Sequence, residues 1–470
     1  MKKMQSAWLS PCLAVLAVAS CGYPPLPEFA DGGAPSSGCI QGMVCATNPG
    51  APCLTGSVMC QGDQAICVDS ANAPDGTACS PGACTRGTCL APATINANID
   101  LSTTAVMLGR ACAEGPAYSV TTLAASAATL ATVPDAGCLA SGDEVLLINL
   151  QGAPGAISNV GNWELLEIDN VTGSVVSFRS MKTKSYGFTA NGDAGIGIGP
   201  TDQKVALVRV PNFGTLAVTS GAKITTSGWN GFVGGVLAIR TATLNLNGAL
   251  STAGIGYRGG KWSLDDQTCS DSVTTQPGES IAGPPSAGST ENDIGAPGGI
   301  GAASGISFIG NTPLTSGASH ATVGGMGGDG NGRTIGGPGA VYGIADASQL
   351  TMGSGQSGGL DCAGGVTGPP TLISEPESLA GGIVLLIANE LNIGSGGAII
   401  ANANNSSRDV SASGGYVFLR GSSLSLGTAR VTATGGIATG TGGTLAAGDG
   451  YIVVSGTTVT GTTKPNAHRL

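Results

Sequence analysis

The chain has 470 residues, enough for two or three domains, and only 10% of them are charged, against about 25% in ordinary globular chains. Glycine accounts for 80 residues, Val, Ile and Thr are plentiful, and long helix-forming runs are absent, which predicts an all-β body with many glycine turns. The formal net charge of −10 argues against a nucleic-acid partner, because nucleic-acid binding depends on Lys and Arg that neutralise phosphates.

Residues 1–20 have the features of an export signal. Lys2 and Lys3 precede an apolar stretch from Ala14 to Ala19, and small residues follow. The run Val18-Ala19-Ser20-Cys21 resembles the lipobox of bacterial lipoproteins. That resemblance implies that Cys21 becomes the first mature residue and carries acyl chains, so the protein would be an exported lipoprotein of the cell envelope, held at the outer membrane. A plain secretory signal with an incidental cysteine is the alternative.

Residues 21–38 are rich in Pro, Gly and Ser and predict a semi-rigid tether between the lipid and the body. No later stretch reaches the roughly 18 apolar residues of a transmembrane helix. The membrane partner would therefore be reached through the lipid anchor.

Residues 39–91 predict a small disulfide-rich module. So short a segment builds little apolar core, and cross-links would stabilise it. The segment has no His and no C-x-x-C spacing, which argues against zinc or an iron–sulfur cluster. Residues 75–89 resemble Cys-rich modules of large exported myxobacterial proteins, which implies a spacer or interaction module. The pairing stays open among eight candidates: Cys39, Cys45, Cys53, Cys60, Cys67, Cys79, Cys84 and Cys89.

Residues 92–254 predict a β-rich region that includes the first solenoid coils. Cys112 and Cys138 are close enough in sequence to pair with each other. Short runs of β-branched and aromatic residues, bounded by Gly, Asn or Pro, predict four strands: Glu144–Leu150, Trp163–Ile168, Ser174–Phe178 and Lys204–Val210.

A repeated pattern identifies the fold class. Two glycines precede a long apolar strand and two shorter ones at Gly234-Gly235, Gly381-Gly382 and Gly414-Gly415, and a shortened copy begins at Asp449. The last three copies start 33 and 35 residues apart (414 − 381 and 449 − 414), a period typical of solenoids. The prediction is a right-handed parallel β-helix, completed by C-terminal coils over residues 381–470. A β-sandwich also uses short strands, but the recurrent Gly-Gly favours the β-helix.

Residues 255–380 interrupt the repeat with a segment dominated by Gly, Ser, Pro and Thr. We expect an excursion from one side of the solenoid, partly ordered by packed glycine-rich turns. Cys269 and Cys362 lie near its ends and predict a disulfide that closes it. The single Gly/Asp run at 328–332 resembles calcium-binding repeats but lacks their period. No cofactor is predicted, with calcium left open.

Several stretches resemble a group of Gly-rich exported proteins found in myxobacteria and related bacteria. They are residues 144–152, 208–211, 234–240 and 256–260, and the resemblance covers about residues 92–460. It implies a β-helix-like body and a cell-surface setting, and brings no catalytic residues with it.

The sequence offers little for catalysis. The sequence has two histidines, and His320 is predicted to be a solvated loop residue. Lys182 and Lys184 are also predicted to lie in a solvated loop. No G-x-S-x-G elbow accompanies a histidine. No pair of carboxylates stands out: Asp265-Asp266 lies in a loop, Asp143-Glu144 begins a strand, and Glu164 and Glu167 should point to opposite faces.

The leading hypothesis is a surface-anchored structural or adhesive lipoprotein, with polysaccharide or an envelope protein as its partner. The alternative is a carbohydrate-active enzyme, a lyase or hydrolase, on the same β-helix. Three or more carboxylates together along one face would favour the enzyme. Arg240 and Arg420 occupy equivalent repeat positions. The pairs Thr241/Thr243 and Thr432/Thr434 would each place two hydroxyls on one strand face. The β-propensity of Thr explains such pairs, and binding of carbohydrate or ice is the alternative.

Overall fold

The computed structural model describes residues 44–45, 52–61, 64–260, 262–264, 278–283, 317–325, 338–356, 360–361, 371–373, 380–405, 411–440 and 443–470. These residues form strands and extended segments without an α-helix. No helix in this part of the chain could cross a membrane. Cys21, Cys39, Cys269, Cys362, Asp265-Asp266 and residues 328–332 lie outside the described residues.

The Cys-rich module contains a three-stranded antiparallel sheet and a hairpin. Disulfides join Cys53 to Cys84 and Cys79 to Cys89, and Cys60 and Cys67 are disulfide-bonded as well. Cross-links therefore stabilise a module whose buried apolar cluster is small. Its strands are β1 (Val44–Cys45), β2 (Leu54–Gln61), β3 (Gln64–Asn72), β4 (Ala83–Thr85) and β5 (Thr88–Leu90).

The β-rich region contains two different structures. Strands β6 (Ala93–Ile95) and β7 (Ile99–Asp100) begin the β-helix. The next six strands close into an antiparallel barrel in the order β10-β11-β12-β9-β8-β13, and a disulfide joins Cys112 to Cys138. The six strands are β8 (Ala117–Ala124), β9 (Ala127–Leu130), β10 (Glu144–Gln151), β11 (Trp163–Thr172), β12 (Val175–Phe178) and β13 (Lys204–Val210). The four predicted strands correspond to β10, β11, β12 and β13, and they belong to this barrel rather than to solenoid coils.

The parallel β-helix is confirmed by strand pairing. The long strand of each coil pairs in parallel along β6-β14-β16-β21-β23-β26, and the short strand along β7-β15-β17-β22-β23. In this register Arg240 and Arg420 both pair with Ile387 from opposite sides, so the two arginines are equivalent. The strands of the β-helix are β14 (Asn212–Val218), β15 (Lys223–Thr225), β16 (Val236–Leu246), β17 (Ala249–Ser251), β21 (Ile383–Ile393), β22 (Ala398–Ile400), β23 (Tyr416–Thr432), β26 (Tyr451–Lys464) and, paired with β26, β27 (His468–Arg469). Outside it, β18 (Trp262–Leu264), β19 (Leu360–Asp361) and β20 (Thr371–Ile373) form a small separate sheet, and β24 (Ile437–Gly440) and β25 (Gly443–Ala446) form an antiparallel pair.

The first four residues of β16, β21 and β23 are all buried, so these long strands begin covered on both faces. Leu237 and Ile239 point into the β-helix core, while Val236 and Ala238 pack against the outer face of the barrel with Leu146 and its neighbours. Successive residues of a strand point to opposite faces, so a strand covered on both sides reads as a continuous apolar run. This explains the apolar run that follows each Gly-Gly.

A glycine-rich layer adjoins these coils, formed by residues 317–325, 338–356, 380–382, 401–405, 411–415 and 446–450. Three successive backbone N–H groups, those of residues 413, 414 and 415, donate to carbonyl oxygens of three different segments. The acceptors are, in that order, Ser354 O (3.1 Å), Gly448 O (3.0 Å) and Ala401 O (2.7 Å). Donors that turn through three directions are typical of an extended chain with three residues per turn. Residues 278–283, 317–325 and 338–356 of the 255–380 segment are thus packed against the body. The expectation of a solvated His320 is wrong, because this side chain is 0% exposed.

Candidate functional site

A charged cleft lies where the Cys-rich module, the barrel and the β-helix meet. It has a volume of about 460 Å³, within the range of ligand-binding clefts. Each of the three units contributes to its wall. We define the charged cleft by its charged lining residues, Arg86, Asp143, Glu144, Glu167, Arg179 and Arg209.

Glu144 is the innermost carboxylate of the cleft and links the barrel to the β-helix. It is 4% exposed and accepts two hydrogen bonds from Arg240, from Nε and from Nη2, each of 2.7 Å. Burial alone would lower the pKa of Arg240, but the hydrogen bond and the charge of Glu144 outweigh it and raise that pKa. This two-pronged contact is the strong geometry for an arginine–carboxylate pair.

Glu167 lies beside Glu144 because the two residues are register partners on β10 and β11. Arg86 reaches both from the Cys-rich module, with Nε 4.0 Å from Glu144 Oε1 and Nη2 in contact with Glu167. The β4–β5 turn holds Arg86 at a φ of 49°, and its N–H donates to Asp75 Oδ1 at 2.8 Å. Arg179 contacts Glu167 through Nη1.

Asp143 completes the set of carboxylates. It pairs with Arg209 (Nη2–Oδ1, 2.8 Å), and Arg209 also donates to Glu114 Oε2 at 3.2 Å. Arg110 adds a further pair with Glu114 at 3.6 Å, and burial lowers the pKa of Arg110. Asp143, Glu144 and Glu167 therefore lie in one cleft, although no carboxylate pair stood out in the sequence.

The chemistry of the cleft suits binding better than proton transfer. By the criterion of clustered carboxylates, the arrangement favours an enzyme. However, each of the three carboxylates already accepts from at least one arginine. A reaction at any of them would first have to displace an arginine, whereas the arginines present a ready surface to an anionic group.

A second candidate surface runs along the outside of the β-helix. On the second half of each long strand, side chains alternate between the core and solvent, and the outward ones stack in register across five coils. Neighbouring strands lie about 4.8 Å apart. Asn392 donates to Asn245 Oδ1 (3.4 Å) and to Glu390 Oε1 (3.0 Å). We call this surface the polar ladder: Thr215, Thr243, Glu390, Ser423 and Thr458 in one column, and Asn245, Asn392, Ser425 and Thr460 in the next.

Two further sequence-based interpretations need correction. Thr241 does not share an exposed face with Thr243: it is 0% exposed, and its hydroxyl donates inside the coil to Thr243 O at 2.9 Å. Lys182 is not a freely solvated loop residue, because it pairs with Asp193. Lys184 donates to Ser348 O at 2.7 Å.

Among the described residues, one cluster has the residue types of a metal site. The sulfurs of Cys53, Cys79 and Cys89 lie within 4.8 Å of one another. All three are disulfide-bonded, so they lack the thiolates that bind metals.

No protein-family model matches the sequence, and no curated protein matches it. Among solved structures the chain is similar to three phage tailspike proteins. The gp61 tailspike of Pseudomonas phage phi297 is 17% identical over 29% of this chain and 19% of its own, with a TM-score of 0.14. The gp49 tailspike of Pseudomonas phage LKA1 is 16% identical over 29% of this chain and 23% of its own, with a TM-score of 0.15.

The third is the gp54 tailspike of Acinetobacter baumannii bacteriophage AP22, solved in complex with a capsular saccharide. It is 10% identical over 76% of this chain and 56% of its own, with a TM-score of 0.15. The chain thus spans about a fifth of the first two tailspikes and just over half of the third. At such low TM-scores none of them carries an inference about function, and the fold assignment rests on the strand pairing.

Proposed function

We propose that the protein is an exported β-helix protein of the cell envelope that binds polysaccharide along the polar ladder. The observation that carries this proposal is the register of outward polar side chains, mostly hydroxyl and amide groups, with one column extending over five coils and the other over four. Such side chains both donate and accept hydrogen bonds, as sugar hydroxyls do. One neutral hydrogen bond contributes only about 0.5–1.5 kcal/mol, so a polymer that touches several coils at once would gain most.

Binding to polysaccharide tests the ladder directly. The full chain is incubated with insoluble polysaccharides and with envelope polysaccharide from the host, and the bound fraction is measured by co-sedimentation. The combined variant Asn245→Ala, Asn392→Ala, Ser423→Ala and Ser425→Ala should bind more than tenfold more weakly, from the loss of several hydrogen bonds.

The matched control alters exposed polar residues of the barrel instead, in the combined variant Thr122→Ala, Asn170→Ala and Thr172→Ala. It should bind as the native chain does. Equal binding by the ladder variant and this control would contradict the proposal.

The envelope tether is proposed on the sequence of residues 18–21. Two or more acyl chains on Cys21 would hold the protein stably at a membrane. Intact-mass measurement of the native protein should give a chain that starts at Cys21 and carries acyl groups, and Cys21→Ala should move the protein out of the membrane fraction. A native mass without acyl groups would refute the tether and leave the ladder proposal standing.

Polysaccharide cleavage is a second candidate, favoured by the three carboxylates of the charged cleft. Hydrolysis of a glycosidic bond commonly uses two carboxylates that flank it. Incubation with acidic polysaccharides, followed by assays for new reducing ends and unsaturated products, tests this candidate. Activity that Glu167→Gln abolishes would establish it, and the absence of products would exclude it for those substrates.

A further inference from the structure

We propose that the charged cleft binds the carboxylate of an acidic sugar, with Arg86 and Arg179 as the residues that hold the anion. This inference goes beyond the polar ladder, which is lined mainly by neutral side chains. It also gives the Cys-rich module a part in ligand binding, since the module supplies Arg86.

The outer end of the ion-pair network is open to exchange. Glu167 is 27% exposed, Arg86 26% and Arg179 55%, so these pairs are partly hydrated and contribute little stability. An incoming carboxylate offers both arginines the same partner chemistry that Glu167 offers. Replacing one carboxylate by another in this exposed position costs little, and arginine suits such two-pronged contacts.

The inner end of the network stays in place during that exchange. Glu144 is held by two hydrogen bonds from Arg240, and buried Arg209 is held by Asp143 and Glu114. Removing one partner from a buried pair is far more costly than from an exposed one. The buried ion pairs of the cleft are therefore expected to stay fixed, while the partly exposed pairs of Arg86 and Arg179 with Glu167 can exchange.

The network pairs each carboxylate of the cleft with at least one arginine. Its ion pairs join five arginines (Arg86, Arg110, Arg179, Arg209 and Arg240) to four carboxylates (Glu114, Asp143, Glu144 and Glu167). Asp75, the other nearby acid, accepts the backbone N–H of Arg86 and faces a neighbouring groove. The charged residues that line the cleft are balanced, three arginines to three carboxylates, and Arg86 and Arg179 are the arginines at its partly exposed end.

Two buried polar atoms of cleft residues lack a partner and point to the rest of the ligand. Arg209 Nε, a donor, and Asn212 Oδ1, an acceptor, have no hydrogen bond, and both residues line the cleft. Buried polar groups are normally satisfied. Both atoms are buried, and both belong to residues that line the cleft. A hydroxyl group can accept from Arg209 Nε or donate to Asn212 Oδ1, and a uronic acid carries hydroxyl groups beside its carboxylate.

Calorimetric titration of the full chain with galacturonic acid oligomers tests the proposal. Neutral galactose oligomers of equal length and sulfated galactose oligomers serve as comparison arms. The uronic acid oligomers should bind, with an affinity that falls as salt is raised, and the neutral ones should bind at least tenfold more weakly. Tighter binding of the sulfated arm would overturn the carboxylate assignment.

Variants separate binding from folding. Arg179→Gln alters a largely exposed side chain and should reduce the affinity for the uronic acid oligomers at least tenfold with little change in melting temperature. Arg86→Gln should do the same, and Arg86→Lys should fall between, because lysine keeps the charge but loses the planar fork. Arg430→Gln, on β23 away from the cleft, is the matched control.

Equal binding of acidic and neutral oligomers, no binding of the acidic ones at millimolar concentration, or native affinity in both glutamine variants would each refute the proposal. The ladder variants leave the charged cleft unchanged. Failure of the ladder proposal and failure of this one are therefore separate outcomes.

Discussion

The interior of the β-helix and the glycine-rich layer beside it are packed in opposite ways. In the interior, Leu, Ile and Val from successive coils stack on one another, so side chains fill the space between backbones. In the layer, the backbones themselves are in contact, and an added Cβ at Gly415 would lie 1.9 Å from Gly382 O. The packing of the β-helix interior therefore depends on large aliphatic side chains, whereas the packing of the glycine-rich layer depends on residues that have no side chain.

The two regions should therefore respond differently to substitution: the layer should lose most stability when atoms are added, and the interior when atoms are removed. A core of aliphatic side chains tolerates modest loss of volume better than a backbone-packed layer tolerates any gain. The layer should also respond to pH through His320, whereas the aliphatic core contains no titratable group. The following substitutions probe the contrast, from the largest expected effect to the smallest.

Gly415→Ala should have the largest effect. The added methyl group would meet backbone atoms, Gly382 O at 1.9 Å and Gly381 C at 2.6 Å, and backbone cannot rotate away as a side chain can. We expect a loss of more than about 4 kcal/mol, measured as the free energy of unfolding or, if the variant does not fold, as loss of the soluble product. Gly228→Ala is the matched control, because its new Cβ would meet only Ile255 Cβ at 3.7 Å. A Gly415→Ala protein as stable as the control would show that the layer can open.

Leu386→Ala removes three carbons from the aliphatic core. Leu386 is 1% exposed and packs within the β-helix interior, and such truncations cost about 2–5 kcal/mol. The expected loss is thus smaller than that for one carbon added to the layer. Denaturant titration of both variants measures the difference, and a larger loss for Leu386→Ala would reverse the comparison.

His320 should make the layer sensitive to acid. Its Nδ1 lies 2.7 Å from Gly414 O, which can only accept, so Nδ1 carries the hydrogen and Nε2 accepts from Thr351 Oγ1 at 2.8 Å. The rings of Tyr342 and Tyr451 cover it at 4.6 and 5.2 Å. Burial lowers the pKa of His320 from 6.5 to about 4, against a smaller raising effect of the Gly414 hydrogen bond.

The sign of the pH dependence follows from that pKa. Above pH 6.5 the imidazole is neutral in both states and costs nothing. As the pH falls from 6.5 to about 4, the unfolded chain binds a proton that the folded chain does not, so up to about 3 kcal/mol of stability is lost. Melting temperatures between pH 7 and pH 4 should fall more steeply for the native chain than for His320→Asn. Equal slopes would mean that His320 is protonated without unfolding.

The sequence predicted the β-helix because its evidence is periodic: Gly-Gly before each long strand shows in the chain itself. Three other features are not specified by that repeat. The Gly-Gly pairs at 381–382 and 414–415 belong to the layer, but the repeat does not show that His320, far along the chain, packs against Gly414. Closure of the barrel depends on antiparallel register. The charged cleft depends on the pairing of Glu144 with Glu167 and on Arg86, which arrives from a separate module.

The smallest expected effect tests whether the β-helix interior is wholly governed by apolar packing. Thr241 is buried in the middle of β16, and its hydroxyl donates to Thr243 O at 2.9 Å. Gly214 O lies 3.2 Å from the same hydroxyl. Thr241→Val keeps the shape but removes the donor, so we expect a loss of about 1 kcal/mol. Thr243→Val, at a half-buried position of the polar ladder, is the control and should change stability less. An unchanged stability in Thr241→Val would mean that this coil is held by packing alone, whereas the expected loss would show that one buried hydrogen bond contributes to the stability of this coil within an otherwise aliphatic core.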